Sequence, residues 1–356
     1  MVRCLVLGAA GFIGGQIARA AVDRGWQVRG LRRRPGAVGA IGDLDVTWIE
    51  GDLASCASLV TAMLDCEIVF HCAGAYPHDA RQIDASTAAA VEQMRHVLAA
   101  AREAGVRRLV YTSSFTTIGR PDTEIARSND FSRSPSPGTT EVVTTDLRLA
   151  DERDFYVPGT VNDPYYEAKW AMEVEALQAA RRDNSETRSL GETGGLEVVV
   201  LCPVAVFGPG DVHLSVSQPL LMTAQGRLPF YLDATFSVVD VRDAAEAHVA
   251  AAERGRSGAR YILCGHNLTM RAGLAEIAAV AGVRPPFVKL GGPLLQAVIA
   301  AGSMIPGSNA AYLRTIPLWR PVSNAQAVAE LGLRVRPFAE TVRDALAWFR
   351  ERGYLK

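Results

Sequence analysis

Tyr165 and Lys169 are the two side chains whose types and spacing point most directly to chemistry. They stand four residues apart, so on a helix they share one face. A neighbouring ammonium favours the phenolate form of tyrosine and brings it towards a useful acid–base range. The same lysine can hold the hydroxyls of a ribose. Tyr166 offers no equivalent pair, because four residues on from it stands Trp170. Y-x-x-x-K also arises by chance on surface helices, so it carries weight only through its surroundings. Upstream lies Val110-Tyr-Thr-Ser113-Ser114-Phe-Thr-Thr-Ile-Gly119, a run ending in hydroxyls. Ser114 is the candidate for binding a reacting oxygen and polarising it as charge develops. Ser113 and Thr116 read as turn contacts.

A second constellation sits at the start of the chain. An apolar run, Cys4–Leu7, leads into Gly8-Ala-Ala-Gly11-Phe12-Ile13-Gly14 and then a helical pattern. In such a turn the first glycine lets the chain bend, the second admits a pyrophosphate and the third allows close packing. The helix N-terminus, here at Phe12 and Ile13, adds open N–H donors and a favourable dipole for phosphate. The next strand pattern ends in Arg32-Arg33-Arg34, where an acid would hold the ribose hydroxyls of NAD. Guanidinium groups at Arg32 and Arg33 suit a 2′-phosphate instead, so NADP(H) is favoured over NAD(H).

Further along, Asp52, followed by Leu53, either accepts from an adenine amino group or caps the next helix. Ala73 and Gly74 are small enough to lie under a cofactor, and small enough merely to end a strand. Cys202-Pro203-Val-Ala-Val206-Phe-Gly208-Pro-Gly210-Asp211 either walls one face of a nicotinamide or forms an ordinary interlobe turn.

The elements that must position these groups alternate along the first two hundred residues. Cys4–Leu7, Gln27–Leu31, Val46–Ile49, Ile68–His71, Arg108–Tyr111 and Leu196–Leu201 read as strands. Amphipathic stretches such as Phe12–Arg24 and Ala89–Ala104 separate them. Strand–helix–strand alternation implies an α/β fold, a doubly wound parallel Rossmann sheet, with a smaller C-terminal substrate-binding lobe. Thr235–Val239 and Arg260–Leu263 read as strands returning to the main sheet. The expected division is residues 1–201 plus 234–264 for the dinucleotide part, and 202–233 plus 265–356 for the lobe. Two segments break the rhythm: a Ser/Pro-rich insertion over 120–160, and a polar stretch over 183–195 expected to be irregular surface.

Composition narrows the function classes. The chain has 37 basic and 38 acidic residues and a net charge of −1, which leaves no electrostatic footprint for nucleic acid. None of the six cysteines forms C-x-x-C and no histidine pair has zincin spacing, so reduced thiols and no metal are expected. The N-terminus lacks the pattern of a signal peptide, and Pro293–Ile305 is too short to span a bilayer. That segment reads as a buried or substrate-facing helix. The cytoplasm, without stable membrane insertion, is the expected location.

Taken together, the glycine turn, Y-T-S-S, Y-x-x-x-K and P-x-x-x-F-G-P-G-D resemble the extended short-chain dehydrogenase/reductase family. Within it, the likeness is to the NAD-dependent epimerase/dehydratase group, near hopanoid-associated sugar epimerase-like and dihydroflavonol reductase-like proteins. Val239-Asp-Val-Arg-Asp-Ala-Ala245 and Arg343-Asp-Ala-Leu-Ala-Trp-Phe349 extend it to the C-terminal half. The resemblance implies a Rossmann fold, NAD(P), a Ser114–Tyr165–Lys169 triad and a homodimer through helices flanking the sheet. Three departures stand out: Ala90 where the family has asparagine, the long spacing from Ser114 to Tyr165, and Cys202 before the proline. The expected function is hydride transfer between NADP(H) and a small ketone, aldehyde or secondary alcohol. A nucleotide-sugar epimerase or dehydratase with tightly bound NAD is the alternative, and a non-catalytic NAD(P) sensor a third.

Overall fold

The computed structural model describes residues 1–74, 82–119, 148–190, 195–212, 214, 216–304 and 313–355. Its centre is a parallel sheet. The strands β1 (Arg3–Leu7), β2 (Gln27–Arg32), β3 (Val46–Glu50), β4 (Ile68–His71), β5 (Arg108–Thr112) and β6 (Glu197–Pro203) are joined by Arg260–Leu263 at the edge. From that edge strand the order is β6, β5, β4, β1, β2, β3. Cys4, Leu5, Val6 and Leu7 are fully buried, because helices cover both faces of the sheet. The helices are α1 (Phe12–Asp23), α2 (Cys56–Met63), α3 (Ile83–Glu103) and α4 (Pro164–Leu190). α1 packs beside the helix Val241–Arg254, while α3 and α4 pack together elsewhere on the sheet. β1 has β2 on one side and β4 on the other, so the strand order reverses there. Ligands bind at the carboxyl ends of strands at such a switch point.

A second apolar cluster gathers around Phe207, Phe236 and Phe338, whose rings meet at 5.6 to 6.2 Å. It includes a three-stranded sheet in which Thr235–Asp240 lies between Ala205–Phe207 and His266–Thr269. Thr235–Val239 therefore does not return to the main sheet, whereas Arg260–Leu263 does. Phe236 and Val238 alternate towards the second cluster, and alternation within a strand says nothing of its partner.

Three further expectations change. Residues 183–190 of the polar stretch are not irregular: α4 continues to Leu190, and Asp183 takes a bidentate contact from Arg102 of α3 at 3.0 to 3.3 Å, while 191–194 lies outside the described residues. Of the insertion, 120–147 lies outside the described residues, while 148–160 is ordered by pairing. Gly119 N donates to Asp154 O at 2.9 Å, and Tyr156 N donates to Thr117 O at 3.0 Å. Of the two readings of Pro293–Ile305, burial does not hold: the helix Gly292–Ser303 anchors Leu295 and Ile299 but leaves Leu294 half exposed, and Ile305 lies outside the described residues. Among the described residues no helix is long and apolar enough to cross a membrane, and no cluster of His, Cys, Asp and Glu could hold a metal.

Candidate active site

The glycine turn after β1 is built so tightly that side chains are excluded from it. Gly8 has φ +95°, and a Cβ there would lie 2.9 Å from Ala73 N at the end of β4. A Cβ on Gly14 would lie 2.2 Å from the Gly8 carbonyl oxygen, so Gly14's close neighbour is the turn itself. Gly11 N donates to that same carbonyl at 2.9 Å. Gly11 is the N-cap of α1 and no side chain caps the helix, which leaves the N–H groups of its first turn, at Phe12 and Ile13, open for an anion.

Beside this turn, Arg32 ends β2 directly across the ladder from Glu50, with an ion pair at 3.7 Å and its guanidinium 5.8 Å from the Trp48 ring. Its Nε is buried and has no hydrogen-bond partner among the described residues. Arg33 is exposed just beyond. Asp52 does not cap α2. Its Oδ1 accepts from Ala54 N at 3.0 Å, and the cap is Ser55, which accepts from Ser58 N. The Leu53 carbonyl meets His96 Nδ1 at 3.3 Å. Pro203 and Val206 are buried. The Gly208–Gly210 turn docks on α1, where Pro209 O accepts from Gln16 Nε2 at 3.1 Å and Gly210 lies against Phe12.

The chemical end is assembled by α4. Asp163 accepts from Tyr165 N and Tyr166 N at 2.9 and 3.3 Å, and Pro164 opens the helix, an arrangement that fixes where Tyr165 begins. One turn later Lys169 is buried, with Nζ donating to the Thr112 carbonyl at 3.0 Å and lying 5.4 Å from the Tyr111 ring centre. Burial pushes its pKa down to about 8, against smaller opposing effects of Cys72, Glu173 and Cys202. A Cβ built on Gly74 would lie 3.9 Å from Nζ, so the segment Ala73–Gly74 just after β4 lies close to both the glycine turn and the lysine.

Ser114 follows β5 and is buried, with Oγ accepting from Thr116 N at 3.2 Å. That contact uses the oxygen as an acceptor and leaves the O–H available to a reacting oxygen.

Glu173 escaped the sequence reading. It continues the stripe Tyr165, Lys169, Glu173 at four-residue steps and is fully buried. Ser113 Oγ and Thr117 Oγ1 both donate to its Oε2, the latter at 2.7 Å, so one carboxylate grips the chain on both sides of Ser114. Arg260 Nε meets Oε1 at 2.6 Å, and Arg260 Nη2 donates to the Thr117 carbonyl at 2.9 Å. The readable signal was the third member of the helical stripe. Ser113, expected to make turn contacts, instead contacts this carboxylate.

The comparisons agree with this architecture. A model of the NAD dependent epimerase/dehydratase family matches residues 4–264. A protein of Synechocystis sp. named for dihydroflavonol 4-reductase is 28% identical, over 99% of this chain and 95% of its own. Sterol demethylase protein B of Methylococcus capsulatus is 27% identical over 99% of both. The crystal structure of gox2253 superposes with a TM-score of 0.78 at 29% identity, covering 100% of each chain. Because the matched span carries the main sheet together with the glycine turn and the Tyr–Lys helix, the chain belongs to the NAD-dependent epimerase/dehydratase family and is an NAD(P)-dependent enzyme of that kind.

Proposed function

We propose that the protein is an NADPH-dependent reductase of ketones or aldehydes, working reversibly on the corresponding alcohols. The observation that carries this reading is Lys169, buried between the Thr112 carbonyl and Gly74 one helical turn from Tyr165. A dinucleotide fits the chain's own residues: a turn with no room for a Cβ, an uncapped helix N-terminus, and a buried Arg32 Nε that has no described partner. When bound, NADPH supplies the hydride. Ser114 and Tyr165 bind the carbonyl oxygen, and Tyr165 delivers the proton to it. Lys169 orients the nicotinamide ribose and lowers the cost of Tyr165 giving up that proton. Arg32 and Arg33 would hold the 2′-phosphate, Asp52 and Leu53 the adenine, and Pro203 and Val206 the nicotinamide side.

The lobe of 202–233 plus 265–356, joined by Thr235–Asp240, supplies the substrate walls in this reading. All six cysteines are free thiols, which suits the cytoplasm, and a homodimer is part of the same reading. The test is a ketone and aldehyde panel followed by NADPH absorbance. Oxidation of NADPH at least tenfold faster than NADH supports the assignment. Co-purified NAD with no net cofactor consumption would replace it with the epimerase or dehydratase alternative.

A further inference from the structure

The helix Gly292–Ser303 is apolar on the side away from the core as well as on the side that faces it. Leu295 and Ile299 anchor it in the second apolar cluster. Leu294, Ala297 and Ala301, followed by Met304 at the C-cap, recur at steps of three and four and form an outward stripe. Phe287 and Val288 stand just upstream, where the strand Val288–Leu290 leads into the helix. After the terminal Met1, Met304 at 84% and Phe287 at 78% are the most exposed large apolar side chains among the described residues. Of the helix's exposed described residues only Gln296 is polar. A helix apolar on all sides is ordinarily covered on all sides.

The charge around this face is one-sided. Residues 277–329 hold no Asp or Glu and four cations, Arg284, Lys289, Arg314 and Arg320, in a chain whose total charge is nearly balanced. Arg284 and Arg314 are exposed on the chain leading into and out of the stripe. Lys289 pairs with Asp233 at 2.7 Å, an exposed contact that water screens. Arg320 is spent on the carbonyls of Pro317 and Trp319. A further guanidinium, Arg271, stands 5.8 Å from the Tyr231 ring centre, and Tyr231 is the ladder partner of Lys289.

Two occupants fit less well than a lipid surface. A second copy in a two-fold contact would bring the same cations against themselves. A helix of 12 residues is also only about 18 Å long and ~10 Å wide, far short of the roughly 800 Å² per partner of a stable interface. Spanning is excluded by the same length, since a bilayer core is about 30 Å thick. An apolar stripe flanked by cations suits a helix lying in the plane of the interface.

We propose that this face rests on an anionic lipid bilayer, with Phe287, Leu294 and Met304 in the headgroup–acyl boundary and Arg284 and Arg314 among the lipid phosphates. The enzyme then works as a peripheral protein, and the inference does not depend on which reaction it catalyses.

The test is sedimentation of the full chain with vesicles of phosphatidylcholine containing about one-third phosphatidylglycerol, or of phosphatidylcholine alone. The wild type should bind the mixed vesicles about tenfold more tightly or better, and salt near ~1 M should remove that difference. Leu294→Asp with Met304→Asp should weaken binding to the mixed vesicles about tenfold or more. Arg284→Glu with Arg314→Glu should abolish the preference for them. Because these side chains are exposed, urea midpoints should stay at the wild-type value, and Phe287→Ser provides a second, milder stripe variant. A wild type that binds neither vesicle, stripe variants that bind as well as the wild type, or a preference that survives the charge reversal overturns the proposal. Sedimentation velocity without lipid covers the other occupant: self-association lost in the stripe variant, beside a wild type that ignores vesicles, assigns the face to a second copy and overturns the bilayer.

Discussion

Glu173 Oε1 and Arg260 Nε lie 2.6 Å apart, with side chains 0% and 3% exposed, joining α4 to the edge strand of the main sheet. Removing one member of a buried pair strands the other charge in a poorly solvated place, at a cost of about 3–5 kcal/mol. Glu173→Gln should therefore lower stability by roughly that amount, read from the urea midpoint. Glu173→Gln combined with Arg260→Met should recover part of it. A single variant as stable as the wild type would show that the pair contributes little.

The same substitution should reach the chemistry. Glu173 holds Ser113 and Thr117 on either side of Ser114, and its charge opposes the downward shift of Lys169. In Glu173→Gln, kcat should fall more than the NADPH affinity, and the alkaline limb of the pH profile should move lower. A limb that stays in place would leave Glu173 a purely structural residue.

Tyr165→Phe should cut turnover by roughly 10²–10⁴-fold, the usual worth of a positioned proton donor, with NADPH binding retained. Fluorescence titration of NADPH beside steady-state rates checks both halves. Turnover persisting at the wild-type level would remove Tyr165 from the mechanism.

Lys169 carries its proton only below about 8. For carbonyl reduction that uses the ammonium, kcat/KM should be level at lower pH and fall as pH rises through about 8. Cys72, Glu173 and Cys202 raise this value, while burial and the neighbouring ring of Tyr111 surround the amine. A profile flat to pH 10 contradicts this role.

Two buried histidines set the acid limit of stability. Burial pushes His71 down to about 3 and His248 down to about 4, the latter held between Thr112 Oγ1 and the Ala244 carbonyl. Between these values and 6.5 the unfolded chain binds more protons than the folded one, so stability is full above 6.5 and is lost as pH falls towards 4. The loss is about 1.4 kcal/mol per pH unit for each histidine. Denaturant midpoints from pH 7 to 4 measure it, and His248→Gln should flatten the slope.

What the sequence determined by itself is local. The Gly8–Gly14 turn, the strands leading up to it and the shared face of Tyr165 and Lys169 follow from steric limits and helical period over a few residues. The family match spans residues 4–264, which contain these features. Tertiary structure decided the rest, because it depends on what distant segments supply. Thr235–Asp240 could have paired anywhere until the Phe207–Phe338 cluster offered its apolar face a surface. The end of α4 is tied to α3 through Asp183 and Arg102, 81 residues apart. Thr116 reads as one more turn hydroxyl in the sequence, and only the fold leaves its oxygen buried without a hydrogen-bond partner among the described residues. Burial and pairing belong to neighbours brought together by the chain's return, and no short window of residues contains them.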